Sequence, residues 1–142
     1  MIGMNKGTAA TQLVLSAATV NATATVYSSN GGYWFDARSG ESFNVWATLA
    51  STGTPDVNIY IDISPFTADL AYNSTDTSKY ASIKLVDALA TKTALQGPWN
   101  AQNNADSSKA IDYPFCKYRI RVVGDGANPA DTAVSVWVTS FN

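Results

Sequence analysis

The chain is 142 residues long, 46% apolar and only 14% charged, with a formal charge of −2 and a pI near 4.8. That length supports one domain with a real core, and the apolar content excludes a disordered chain. The mild acidity argues against nucleic acid as a main partner, since binders of that kind carry a large positive excess.

Met1 to Thr11 is glycine-containing and aperiodic and reads as an N-terminal arm; the division expected is an arm over 1–12 and a single β-sandwich domain over 13–142. No signal peptide is expected, because Thr, Gln, Ser and Asn interrupt the stretch from Thr8 to Val26. No run reaches the length of a membrane-spanning helix. Leu13–Ser16 and Ala22–Tyr27 read as short strands rich in strand-forming residues, Asn30-Gly31-Gly32 as a turn, and Tyr33-Trp34-Phe35 as a short aromatic strand. Asp36 to Glu41 is a polar turn around Gly40.

Side chains alternate between the two faces of a strand, so period-two patterns identify half-buried strands. Ser42–Leu49 sets Phe43, Val45, Ala47 and Leu49 against Asn44, Trp46 and Thr48. Val57–Ser64 sets Val57, Ile59, Ile61 and Ile63 against Asn58, Tyr60, Asp62 and Ser64. The short Gly/Pro connection between them predicts an antiparallel hairpin. Ala81–Val86 reads as a strand, against the alternative of a short helix over Ser82–Ala90. Ala94-Leu95-Gln96 is a candidate edge strand closed by Gly97-Pro98, and Asn100–Lys109 reads as an exposed loop.

At the C-terminus, Cys116, Tyr118, Ile120 and Val122 share an apolar face opposite Lys117, Arg119 and Arg121. A second strand sets Val134, Val136 and Val138 against Ala133, Ser135, Trp137 and Thr139. The segment Tyr113–Phe141 therefore predicts two strands joined by a tight loop, with a type I turn at Asn128-Pro129-Ala130-Asp131. In sum the chain predicts an all-β antiparallel sandwich or jelly roll of about eight short strands with an extended N-terminal arm.

Residues suited to catalysis are scarce. The chain has no His and one Cys, Cys116, placed on an apolar strand face where an inert thiol is expected, so no disulfide framework forms. Glu41 is the only Glu, and its pairing with Asp36 reads as two loop carboxylates rather than a glycosidase pair. Asp125, Asn128 and Asp131 match no calcium-loop spacing and read as turn-forming side chains. Gly124-Asp125-Gly126 lacks the third glycine and the helix of a phosphate loop. Asn21 and Asn73 head glycosylation sequons by pattern only. No catalytic residue, cofactor or metal is expected.

Trp46, Tyr60 and Trp137 fall on the nominally polar faces of their strands, where large aromatics call for cover or a partner. Three readings are open: cover by the arm or the 66–112 segment, a subunit interface, or a sugar-stacking platform. Lys117, Arg119 and Arg121 are expected to make ion pairs across strands or between subunits.

The stretch Tyr118-Arg119-Ile120-Arg121-Val122-Val123-Gly124-Asp125-Gly126-Ala127-Asn128-Pro129-Ala130-Asp131-Thr132-Ala133-Val134 resembles the closing hairpin of small β-sandwich virion proteins of tailed bacteriophages, which decorate capsids or form head and tail accessory subunits. The resemblance covers about the last quarter of the chain. It implies a non-enzymatic homo-oligomer made in the host cytoplasm and located on the virion. Its partners would be other virion proteins, such as the major capsid protein or neighbouring head and tail subunits, with no nucleic acid or membrane. The alternative from the aromatics is a lectin-like carbohydrate-binding module using Trp46, Trp137 or the Tyr33-Trp34-Phe35 cluster.

Overall fold

The computed structural model describes residues 9–37, 42–100, 104–106 and 115–141. These form nine strands: β1 (Ala9–Thr19), β2 (Thr25–Tyr27), β3 (Phe35–Asp36), β4 (Ser42–Ala50), β5 (Val57–Ser64), β6 (Ala81–Leu89), β7 (Gln96–Trp99), β8 (Lys117–Gly124) and β9 (Ala133–Phe141). Sheet A runs β1-β9-β4-β7. Sheet B runs β2-β8-β5-β6, with β3 also pairing β8. Every pairing is antiparallel. The chain changes sheet between β1 and β2, β3 and β4, β4 and β5, and at each step from β6 to β9. This is the two-layer jelly-roll sandwich the alternation predicted.

The inner faces interdigitate as one core. Val45, Ala47, Val134 and Val136 from sheet A meet Val57, Ile59, Ile61, Ile120 and Val122 from sheet B, all fully buried. Each such Val or Ile contributes about 1.5–3 kcal/mol relative to an exposed position. β2 and β3 lie end to end along β8, and Ser28 fills the gap between them: its amide donates to the Ile120 carbonyl and its hydroxyl accepts from the Ile120 amide, at 2.9 and 2.8 Å.

Several connections differ from the sequence reading. β4 and β5 are not a hairpin: β4 pairs β9 and β7, while β5 pairs β6 and β8. β8 and β9 likewise lie in opposite sheets. In both cases a short connection crosses the sandwich, because alternation fixes which face is buried and not which strand lies alongside. Two turns link β8 to β9, closed by Asn128 N–H to Asp125 C=O and Thr132 N–H to Pro129 C=O, so the second begins at Pro129 rather than Asn128.

The residues from Ala81 form β6 and not a helix. The edge strand expected over Ala94–Gln96 is β7, two to three residues later, and contains Pro98. A proline fits an edge strand because its missing N–H removes no internal ladder bond. β1 begins at Ala9, so the last four residues assigned to the arm pair with β9. Residues 1–8, Glu41, Tyr113-Pro114 and parts of the 100–109 segment lie outside the described residues.

Candidate functional site

Trp46 on β4 and Trp137 on β9 are register partners on the outer face of sheet A, and both are half-buried. They point outward because their strand neighbours Val45, Ala47, Val136 and Val138 fill the core. On the other side of β9, Leu13 pairs with Trp137 and Thr11 with Thr139, the two threonine hydroxyls lying 3.2 Å apart. A row Leu13–Trp137–Trp46 thus crosses three strands. Leu95, just before β7, closes its far end, and Thr11, Trp46, Leu95, Trp137 and Thr139 line a groove of about 390 Å³. Leu13 is 46% exposed and Leu95 58%.

The strands that build this face are uncharged. None of the four strands of sheet A contains Asp, Glu, Lys or Arg. The charged residues that lie in strands are all in sheet B: Asp36, Asp62, Lys84, Asp87, Lys117, Arg119 and Arg121. An uncharged face can be covered at small desolvation cost, whereas burying unpaired charge is expensive.

The outer face of sheet B is built differently. Arg119 is fully buried, its Nε 2.7 Å from Asp62 and its Nη1 donating to the Tyr72 carbonyl at 2.8 Å. The rings of Tyr27, Trp34 and Tyr80 surround its guanidinium at 4.4, 4.5 and 4.8 Å, within cation–π range. Trp34 donates its indole N–H to the Ala71 carbonyl at 2.9 Å, which draws the 65–80 connection over the sheet. Arg121 shares Asp62 at 3.0 Å and stacks on Tyr60 at 4.2 Å, with Lys84 near the same ring. Burial opposes the Arg121 charge, but hydrogen bonding and attraction to Asp62 outweigh it and raise its pKa. Lys117 bonds Asp36 and Asp69, which raise its pKa against the opposing effect of burial.

The structure therefore separates the residues the sequence singled out. Trp46 and Trp137 come together on sheet A, and Tyr60 lies on the other sheet with the basic residues. Lys117, Arg119 and Arg121 are paired within the chain, and the first two are buried rather than exposed. Sequence reading missed Thr11, Leu13, Leu95 and Thr139 as neighbours of the indoles. Leu13 offered a signal, as an apolar residue at the start of a strand, but only the β1–β9 register places it beside Trp137. Cys116 is a free, partly buried thiol. Asn128 is buried and holds the β8–β9 connection, and Asp131 bonds Ser51 and Thr52. Among the described residues, no three His, Cys, Asp or Glu side chains converge on a point that would hold a metal.

No protein-family model matches the chain, and no curated protein matches it. Solved structures do. The structure of the infectious bursal disease virus Gx strain aligns with a TM-score of 0.56 at 13% identity, covering 96% of this chain and 32% of that one. The VP2 subviral particle of infectious bursal disease virus gives 0.48 at 10% identity, covering 96% and 33%. The cyanophage Pam1 capsid asymmetric unit gives 0.38 at 17% identity, covering 99% and 89%. The likeness to the first is one of fold, and this chain spans 32% of its length.

Proposed function

We propose that this chain is a non-enzymatic structural subunit of a virion that acts through protein–protein contacts made by the outer face of sheet A. The observation that carries the reading is the partition of charge: charged strand residues are confined to sheet B, while sheet A presents Leu13, Trp46, Leu95 and Trp137 with no charged strand residue among them. Aromatic anchors on rigid strands lose little entropy on burial and suit an interface core. The shared fold with a viral structure supports the class. Within it, the resemblance of the 118–134 segment favours a bacteriophage capsid decoration or head or tail accessory protein, homo-oligomeric and seated on neighbouring virion proteins. Lys117, Arg119 and Arg121 are then internal fasteners, and Trp137 and Trp46 are the contact residues.

A second reading, a carbohydrate-binding module, draws on the same groove, where two indoles lie beside the Thr11 and Thr139 hydroxyls. Cosedimentation of the purified protein with virions assembled without it separates the two. Saturable occupancy of the particles is expected, weakened in Trp137→Ala by on the order of 2 kcal/mol or more with the fold kept. Absence of the chain from purified virions, or glycan binding without particle binding, overturns the first reading.

A further inference from the structure

The two sheets have four edges, and three are closed. β7 is four residues long and carries Pro98, which has no N–H to offer. Beside β6, the amides of Ala105 and Asp106 donate to the carbonyls of Leu85 and Lys84 at 2.9 and 3.1 Å, so residues 104–106 cover that edge. The remaining edge of sheet B is broken into two short strands, β2 of three residues and β3 of two. Short strands, prolines and covering segments are the usual ways in which a sheet edge is kept from pairing with another chain.

Among the described residues, β1 has none of these. It is eleven residues, AATQLVLSAAT, with no proline and no charge. Its register shifts fall between Leu13 and Leu15 and between Leu15 and Ala18, so Ala9–Leu13 is its regular portion. One side of that portion pairs with β9, and among the described residues nothing pairs with the other. Residues 10 to 13 are all exposed.

We infer that the free edge of β1 over Ala9–Leu13 is a strand-addition site for a second copy of this chain. An open edge presents unpaired N–H and C=O groups at strand spacing, which another strand satisfies. Two identical β1 strands meet without like charges opposite one another, a contact that is destabilising in charged strands. Antiparallel pairing about a two-fold axis normal to the sheet is self-complementary and closes at two copies. It also keeps both outer faces on the same side, so two copies of sheet A become one eight-stranded sheet bearing both Leu13–Trp137–Trp46 rows. The inference rests on the edges and not on the virion reading, and it is tested on the free chain.

Sedimentation across rising concentrations is expected to give a monomer–dimer equilibrium, with amide exchange within residues 9–13 slowing as the dimer forms. Pairing of Ala9–Leu13 with its own copy sets Thr11 opposite Thr11, so Thr11→Lys and the double variant Thr11→Lys/Leu13→Lys leave the backbone bonds to β9 in place but bring like charges together at the two-fold. Each is expected to abolish the dimer with an unchanged circular dichroism spectrum. A chain that stays monomeric at its highest soluble concentration overturns the inference. So does a dimer that survives both variants, or one whose added protection lies outside residues 9–13.

Discussion

Asp62 lies directly across the β5–β8 ladder from Arg119, and both side chains are wholly buried. The Asp62 carboxylate also takes Arg121 through two bonds of 3.0 Å and the Ser82 hydroxyl at 2.6 Å. Among the described residues Arg119 Nη2 has no hydrogen-bond partner, and the three aromatic rings around the guanidinium offset its charge. A buried charge is tolerated only while paired, and removing one partner costs about 3–5 kcal/mol. Asp62→Ala is therefore expected to destabilise the fold by that amount in urea titration. Asp62→Asn keeps acceptor capacity and falls between the two. A loss in Asp62→Ala below about 1 kcal/mol, the range of an exposed pair, would contradict this account.

How far the sequence anticipates this arrangement depends on what alternation encodes. The faces of β4, β5, β8 and β9 were readable, because Phe43, Val45, Leu49, Ile59, Ile61, Ile120 and Val136 recur at period two and all lie in the core. Partners were not, because Ser51–Asp56 and Asp125–Thr132 are short enough for hairpins yet cross between sheets. The burial of Arg119 was also hidden. Its cover comes from Trp34, Tyr72 and Tyr80, in connections with no period to read. For the candidate interface, the outward placement of Trp46 and Trp137 was legible; their pairing with each other and with Leu13 needed the register of β1, β9 and β4.

Gly124, at the end of β8, sits where the backbone leaves no room for a side chain. Its amide donates to Ala24 C=O at 3.0 Å, and a Cβ at this position would lie 1.8 Å from the Ala22 carbonyl oxygen. Backbone must move to admit it, so Gly124→Ala is expected to cost about 1–3 kcal/mol, the range of overpacking. Gly126→Ala has open space and should stay within about 0.5 kcal/mol of the parent. Thermal melts of the two side by side test the contrast; equal melting points would remove the argument.

Asp131 sets one part of the acid response. Hydrogen bonds from the Thr52 side chain and amide, then from Ser51, hold its pKa below the ordinary carboxylate value of 3.8. Asp76 is lowered in the same way by Ser78. A group whose pKa is depressed by folding contributes stability above its unfolded pKa and loses it as pH falls through the folded one. Melting temperature should therefore drop with acid below the ordinary carboxylate range, and Asp131→Asn should flatten that slope. Lys117 works in the opposite sense, since its raised pKa gives stability that is lost only as pH rises through the folded value. An identical acid slope in Asp131→Asn would rule out its contribution.

Asn128 ties three segments together at the β8–β9 connection. Its Nδ2 donates to the Val20 carbonyl at 2.6 Å, and its Oδ1 accepts from the Asp56 amide at 3.0 Å and the Thr132 hydroxyl at 2.9 Å. The side chain is buried, so water does not replace these partners if it is cut back. Asn128→Ala deprives the Val20 carbonyl and the Asp56 amide of this partner, and each buried group left unsatisfied costs about 1–3 kcal/mol. Asn128→Asp preserves the acceptor toward Asp56 and Thr132 but turns the donor at Val20 into a second acceptor facing a carbonyl. Both variants are expected to unfold at lower denaturant, with amide exchange accelerated first at Asp56 and in the 125–132 turns while β5 and β8 stay protected. Uniform acceleration across sheet B instead would mean that Asn128 supports the whole sandwich and not this crossing alone.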